Sequence, residues 1–591
     1  MRAPERRTWT EVLAPALLAA WFLGTALLGT SARYRLVDLV GLAVVYLALA
    51  ICLHQGAALL RGLLGAPGGW MGAWLLGMFL LWQLREQTYL PNSLAGVLLW
   101  SAPLTPILYW MAVRPLVGRS WARSLRWIVA GLAILVTTTI GFTRSSELFR
   151  WHLLRHNTLL GTPTYYLLEP PVSQVRDRLV DRLDLRSPPA APAADEVSGA
   201  PSPPLPHLVL VLLDTLRADA VSGRDGGPGS MPRLERFLES AWRFTDVWAN
   251  SSWTRPSMAS LFTGLLPEEH GARDLGDALA PGFETLAERL DRRGYRTVAF
   301  VTNLAAVGQG TGFAQGFDEF HELEGDPYAR AERVDQAVES WLAKEDPAGP
   351  VFLYIHYLDP HEPYLAGNAP LRKRPEPYRR AYAAELEYLD RWLDRTTRRI
   401  ESGLTGPETV IVASDHGEEF FEHGLFGHGH SLYEEVLQIP VAVKMPGGES
   451  GDLSSRLEIR DFFSLLDRLG TGERPDLAFW ADERHRNRRY ASLDFSGTGR
   501  LILRPYLRRI FMRALQVGDE KLVWSAYGDT RELYDLNRDP QETVNRIADR
   551  PDRTEELSRS LDEATETWVE STPVEISDSE RDQLKALGYV D

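Results

Sequence analysis

His207-Leu208-Val209-Leu210-Val211-Leu212-Leu213-Asp214 is the stretch on which the reading of the chain turns. An apolar run this short, with no polar alternation, reads as a strand buried on both faces, and it ends on a carboxylate. Similar runs recur at 297–301, 351–357, 409–413 and 440–445. Stretches with helical spacing lie between and around them, at 231–240, 283–293, 331–342 and 378–400. Strand–helix alternation of this kind predicts an α/β domain with a largely parallel sheet covered on both faces. Such sheets bind ligands beyond the carboxyl ends of their strands. The polar residues there are Asp214 after the first run, Asn303 after the second, His361 after the third, and Asp415 with His416 after the fourth.

Outward from this core the charge is split. The chain of 591 residues has a net charge of −15, yet up to Thr143 it holds eleven Arg, no Lys and four acids, a net of +7. Everything beyond Thr143 therefore carries −22. An acidic body argues against a nucleic-acid partner, because that binding relies on Lys and Arg to displace phosphate counterions. The single Cys, Cys52, excludes a disulfide framework and a Cys-based zinc site.

The first 143 residues hold apolar runs at 14–29, 36–53, 94–113 and 127–142, and a shorter one at 70–84. These predict a transmembrane bundle of about five helices. Arg2, Arg6 and Arg7 mark the N-terminus as cytoplasmic, and Arg114, Arg119, Arg123 and Arg126 mark a second cytoplasmic loop. Four spans and then one more place the body outside, on the periplasmic or extracellular face of a multi-pass plasma (inner) membrane protein. Arg33 and Arg35 are the discordant pair. Residues 144–206 read as a juxtamembrane segment followed by a Pro/Ala-rich linker. Nothing in the sequence sets an oligomeric state.

Three clusters carry chemistry. Asp214 taken alone could cap a helix, and Asp415-His416-Gly417 alone could be a turn. Together they offer two carboxylates and an imidazole to one divalent ion, Zn²⁺, Mg²⁺, Mn²⁺ or Ca²⁺. Thr254-Arg255-Pro256-Ser257 enters a helix whose first N–H groups would face an anion, which makes Thr254 a candidate metal-activated nucleophile. The third cluster is histidine: His356 and His361 follow one another closely, and Gly427-His428-Gly429-His430 adds two more.

In their order along residues 207–591 these pieces resemble the sulfatase branch of the alkaline phosphatase superfamily. The resemblance runs through Asp214-Thr215-Leu216-Arg217, Thr254-Arg255-Pro256-Ser257 with Leu261-Phe262-Thr263-Gly264, and Pro267-Glu268-Glu269-His270-Gly271. It continues through Pro360-His361-Glu362-Pro363, Ser414-Asp415-His416-Gly417-Glu418 and Glu532-Leu533-Tyr534-Asp535, and ends at Leu587-Gly588-Tyr589-Val590. It implies one divalent metal ion on Asp214, Asp415 and His416, with Thr254 at the nucleophile position and also against the metal. His361 would stabilise the transferred group or protonate the leaving oxygen, and His428, or else His430, would stand where many sulfatases have Lys. Two departures matter. Thr254 replaces the Cys or Ser that sulfatases convert to formylglycine, and Thr215 replaces a second Asp. A Thr nucleophile behind several N-terminal spans is similar to lipoteichoic acid synthases and phosphoethanolamine transferases.

The expected organisation is thus a transmembrane region over 1–143, a linker over 144–206, a sulfatase-like catalytic core over 207–470 with a central, mostly parallel sheet, and a smaller C-terminal subdomain over 471–591. The expected function is a membrane-anchored, metal-dependent hydrolase or transferase of phosphate or sulfate esters. Its substrate would be a membrane lipid or cell-envelope glycan, since a −22 body repels free anions at long range. Thr254, His361 and His428 are the expected catalytic residues, and Asn303, His430, Arg217 and Arg255 are candidates for substrate contact. For the two arginines an exposed surface role is the alternative. A sulfuric ester hydrolase and an inactive sulfatase-like scaffold are the competing readings.

Overall fold

The computed structural model describes residues 172–189, 205–222, 231–325, 328–344, 349–366, 375–495, 510–564, 567–574 and 577–587. The expected membrane spans, most of the juxtamembrane segment and most of the linker lie outside these residues. Among the described residues no helix is long and apolar enough to cross a membrane.

The chain enters through α1 (Val172–Val180) and β1 (Asp184–Arg186). The core follows as β2 (His207–Leu213), α2 (Pro232–Glu239), β3 (Trp242–Trp248), α3 (Thr254–Thr263), α4 (Leu286–Asp291), β4 (Arg296–Val301), α5 (Leu304–Val307), β5 (Glu319–Glu322), α6 (Ala331–Leu342), β6 (Val351–Tyr357), α7 (Pro375–Gly403), β7 (Glu408–Ala413), β8 (Gln438–Lys444), β9 (Gly451–Leu453) and α8 (Asp461–Leu469). These strands form one sheet in the order β9-β3-β8-β7-β2-β6-β4-β5. The central ladders β7–β2–β6–β4–β5 are parallel, as expected. The run expected at 440–445 is β8, and it pairs antiparallel with both β7 and β3. β3 was not foreseen: only some of its residues are buried, so Trp242-Arg243-Phe244-Thr245-Asp246 does not show a clean apolar run.

β2 lies at the centre and is buried along its whole length, which explains the absence of polar alternation. Its alternate residues serve two cores. Leu208, Leu210 and Leu212 pack with Phe352, Tyr354, α3, α4 and α8 on one face. Val209, Val211 and Leu213 pack with Leu353, Ile355, α6 and α7 on the other. Each such side chain contributes about 1.5–3 kcal/mol of burial, so the ladder that carries the strand ends is rigid.

Beyond the core, β10 (Arg488–Asp494), β11 (Phe511–Val517), β12 (Glu520–Ser525) and β13 (Thr530–Asp535) make an antiparallel sheet in sequence order. α9 (Pro551–Asp562) packs Leu557 and Leu561 against it. Val175, Leu179 and Val180 of α1 lie against Phe511 and Trp568, and β1 pairs in parallel with β14 (Thr567–Val569). The segment that leads in from the N-terminal region is therefore fastened to the C-terminal part of the body. The last described helix is α10 (Asp578–Ala586).

Candidate active site

β2 and β7 are neighbours in parallel register, so the residues that follow them emerge side by side. Asp214 follows β2, and Asp415 and His416 follow β7 after Ser414. The chain turns sharply at Thr215, whose φ of 58° is left-handed and unfavourable for a β-branched residue. Its surroundings hold it there. Its N–H donates to Asp415 Oδ1 at 3.3 Å, and its carbonyl accepts from the Tyr382 hydroxyl at 3.0 Å.

The two carboxylates are only half satisfied. Asp214 Oδ2 accepts from Asn303 Nδ2 at 2.9 Å and from Thr254 Oγ1 at 3.3 Å. Asp415 Oδ1 accepts from the N–H groups of Thr215 and His416. Asp214 Oδ1 and Asp415 Oδ2 are fully buried with no hydrogen-bond partner. His416 Nδ1 lies 2.9 Å from the carbonyl of Gly417, which can only accept, so Nδ1 bears the hydrogen and Nε2 presents its lone pair. That Nε2 is 3.7 Å from Asp214 Oδ1, 3.4 Å from Asp415 Oδ2 and 3.4 Å from Thr254 Oγ1. Without a cation this arrangement is costly. Burial, then the Asp415 charge, pushes the Asp214 carboxyl well above its ordinary range, and burial also raises Asp415 against the opposing pull of His416. Two orphaned carboxylate oxygens facing one imidazole lone pair fit a divalent metal.

Thr254 opens α3 behind the extended residue Trp253, so its hydroxyl sits at the positive end of the helix. Ser257, one residue short of a turn later, donates to the carbonyl of Asp415 at 2.6 Å and locks the helix start to the end of β7. Asn303 caps α5 with its own Oδ1, which accepts from the Ala306 N–H at 3.2 Å, and this turns Nδ2 toward Asp214 and Thr254. His361 and His428 join the site through His416: the His428 ring is 4.3 Å from the His416 ring and 4.8 Å from the His361 ring. Burial, then the His428 charge, pulls His361 down to about 3, and burial with the His416 charge holds His428 well below its ordinary range.

The structure thus gathers Asp214, Thr254, Asn303, His361, Asp415, His416 and His428, and it places three other candidates elsewhere. Arg255 is fully buried, and its guanidinium is taken up by the carbonyls of Asp274, Leu275, Asp277, Ala305 and Ala306, because the residue after Thr254 points a third of a turn around the helix. Arg217 is also buried, and it binds Asp219, Glu422 and the carbonyl of Glu418. Both guanidinium groups are taken up by protein partners, and neither arginine is an exposed surface group. His430 turns its Nε2 to Glu419 Oε2 at 3.0 Å, so the histidine of the Gly-rich loop that faces the site is His428.

Two neighbours went unassigned in the sequence. Glu418 is buried, and it holds His428 Nδ1 at 2.9 Å while accepting from the Tyr364 hydroxyl at 3.0 Å. His356 shares a face of β6 with Phe352 and Tyr354. It is fully buried with neither ring nitrogen hydrogen-bonded, and its Nε2 is 3.6 Å from Asp214 Oδ2. The period-2 alternation of β6 was the available signal for it.

Residues 206–467 match the family model of the sulfatases. This region is a sulfatase-family domain, in the alkaline phosphatase superfamily. Among curated proteins, the sulfatase-like chain is 20% identical over 425 residues to the uncharacterized sulfatase YidJ of Escherichia coli, covering 58% of this chain and 83% of that one. It is 23% identical over 181 residues to an N-acetylglucosamine-6-O-sulfatase of Bacteroides thetaiotaomicron, covering 27% and 31%. Among solved structures, a protein in complex with its substrate D-glucosamine-2-N,6-O-disulfate superposes with a TM-score of 0.52 at 16% identity, over 61% of this chain and 97% of that one. The phosphonate monoester hydrolase of Agrobacterium radiobacter gives 0.50 at 18% identity, over 60% and 94%. At these identities the two structures bear on the sulfatase fold alone.

Proposed function

We propose that this sulfatase-family protein is a membrane-anchored, metal-dependent enzyme that cleaves or transfers a phosphate or sulfate ester outside the cytoplasm, with Thr254 as nucleophile. The observation that carries this reading is the placement of Thr254 Oγ1, at a helix start and 3.3–3.4 Å from Asp214 and His416, beside two unpartnered carboxylate oxygens. Asp214, Asp415 and His416 would hold a divalent ion, whose positive charge would lower the pKa of a neighbouring hydroxyl and offset charge on the ester oxygens. Thr254 Oγ1 passes its proton to Asp214 Oδ2 as it attacks phosphorus or sulfur, forming a covalent ester while the bond to the alcohol oxygen breaks and that oxygen leaves. An arriving anion stabilises the imidazolium form of His361, which passes its proton to the leaving oxygen. His428, with Nδ1 held by Glu418, then takes the proton of the incoming water or acceptor hydroxyl as that oxygen displaces Thr254 Oγ1, which recovers its proton from Asp214.

The apolar runs and basic loops of residues 1–143 support anchoring in the plasma membrane with the body on the outer face. With the acidic body, they favour a substrate carried by the membrane or the envelope, a lipid headgroup or a glycan. Plain hydrolysis of a sulfate ester is the second reading, favoured by the relative named an N-acetylglucosamine-6-O-sulfatase. Assay of the purified full chain on an aryl sulfate and on a bis-aryl phosphodiester separates the two. Turnover of the phosphodiester that Thr254→Ala abolishes supports the proposal; turnover of the sulfate alone supports the second reading. A chain that binds no divalent ion and turns over neither ester would be the inactive scaffold.

A further inference from the structure

Asn303 is the site residue with the least secure footing. Its helix α5 is four residues long, too short to be stable by itself, and it begins at the residue whose side chain must point at Asp214. Two side chains from elsewhere brace this turn. Arg255 donates to the carbonyls of Ala305 and Ala306. Gln583, on the last helix α10, donates from Nε2 to the Thr302 carbonyl at 2.9 Å and accepts at Oε1 from the Ala305 N–H at 2.9 Å. One buried carboxamide thus fixes the backbone on both sides of Asn303 without touching the site. The same segment also reaches the neighbourhood of His361. Leu587 is buried with Leu358 and Tyr328, and the Tyr328 hydroxyl donates to the carbonyl of Pro363 in the loop that carries His361.

We propose that Gln583 is a positioning residue of the metal site: it acts through the Asn303 turn, so that the end of the chain sets how Asp214 is held. The inference rests on the metal reading given above. Only a carboxamide satisfies both partners, since one donates and the other accepts. A Met of similar length leaves Thr302 O and the Ala305 N–H unpaired inside the protein, and the turn is then free to carry the Asn303 carboxamide off Asp214 Oδ2. Groups that orient a metal ligand from behind typically change affinity 10–100-fold when removed.

The test is a double-mutant cycle read by calorimetric titration of the purified full chain with Mn²⁺, with melting temperature followed in parallel. Gln583→Met is expected to weaken Mn²⁺ binding about 5–10-fold, below the effect of Asn303→Ala, in line with an indirect role. Added to Asn303→Ala it is expected to weaken binding no further, because both act through one contact. Gln583→Glu keeps the acceptor for Ala305, so it is expected to fall between parent and Gln583→Met, and it serves if Gln583→Met does not fold. Unchanged Mn²⁺ affinity in both Gln583 variants, or a Gln583→Met effect of full size in the Asn303→Ala background, would overturn the inference while leaving the metal reading intact. A parent chain that binds no divalent ion overturns the metal reading and this inference with it.

Discussion

Two regions of this molecule bury charge, and they do so in opposite ways. Where the C-terminal sheet meets the core, Lys521 is fully buried between Glu434 at 2.9 Å and Glu542 at 2.8 Å. Glu434 also accepts from Trp248 Nε1, and Glu542 accepts from the Glu434 N–H. Here the charges answer one another, and the cluster joins two parts of the chain. At the mouth of the parallel sheet, Asp214 and Asp415 each keep one oxygen without a hydrogen bond, and no lysine or arginine among the described residues pairs with either. In the first region each carboxylate has the Lys521 cation within 3 Å, and Glu542 Oε1, which has no hydrogen bond, is met by that charge. The second is incomplete in a way that a divalent ion would correct, and buried polar groups left unpaired are what distinguish a site from a structural cluster.

The sharpest way to break the comparison is to remove one charge from each region. Asp415→Asn is expected to abolish metal binding and to lower turnover by more than about 10³-fold, yet to raise the melting temperature of the metal-free protein. Both carboxyls are raised in the folded state, mainly by burial. The metal-free chain should therefore lose stability as pH climbs above the ordinary value of 3.8, and Asp415→Asn should flatten that slope in thermal melts. Lys521→Met should do the reverse: about 3–5 kcal/mol of stability lost in denaturant titrations, with Mn²⁺ affinity within a factor of two of the parent, a margin set by ordinary scatter between distant sites.

The adjacent acids Glu418 and Glu419 repeat the contrast on a smaller scale, since one supports His428 and the other His430. Glu418→Gln is expected to lower kcat about 10²-fold with little change in melting temperature. Glu419 instead holds His430 Nε2, away from Thr254 and Asp214. Burial alone would raise its carboxyl, but the hydrogen bond and charge of His430, the His423 charge and the Leu425 N–H hold it at about 2. Its contribution is present above the ordinary value of 4.5 and lost as pH falls toward 2. The melting-temperature gap between parent and Glu419→Gln should accordingly close over that range, while turnover at neutral pH changes least of all these variants.

The sheet and its loaded strand ends were legible because β2, β6 and β7 are buried on both faces and so read as unbroken apolar runs. β3 was hidden because its burial is patchy. The direction of β8 was hidden because an apolar run carries no sign for parallel or antiparallel pairing. Site residues at strand ends were found for the same reason the strands were. Arg255 and Arg217 were misplaced because charge in a sequence suggests solvent or an anion, whereas here the partners are carbonyls and acids brought in by distant segments. Glu418 and Glu419 drew no separate roles from the sequence, although consecutive residues in extended backbone face opposite ways. The bonds of Gln583 to Thr302 and Ala305 join positions nearly the whole body apart in sequence, beyond the reach of any local pattern.

The central claim is that Thr254 carries the transferred group, and the most direct measurement is its mass. The full chain, loaded with Mn²⁺, would be mixed with substrate and quenched in acid during turnover, and the peptide bearing Thr254 weighed by mass spectrometry. The account predicts an adduct on Thr254 whose added mass identifies a phosphate, a sulfate or a larger headgroup, and which is absent from Thr254→Ala. Steady turnover with Thr254 unmodified at every quench time, or undiminished turnover by Thr254→Ala, would contradict it.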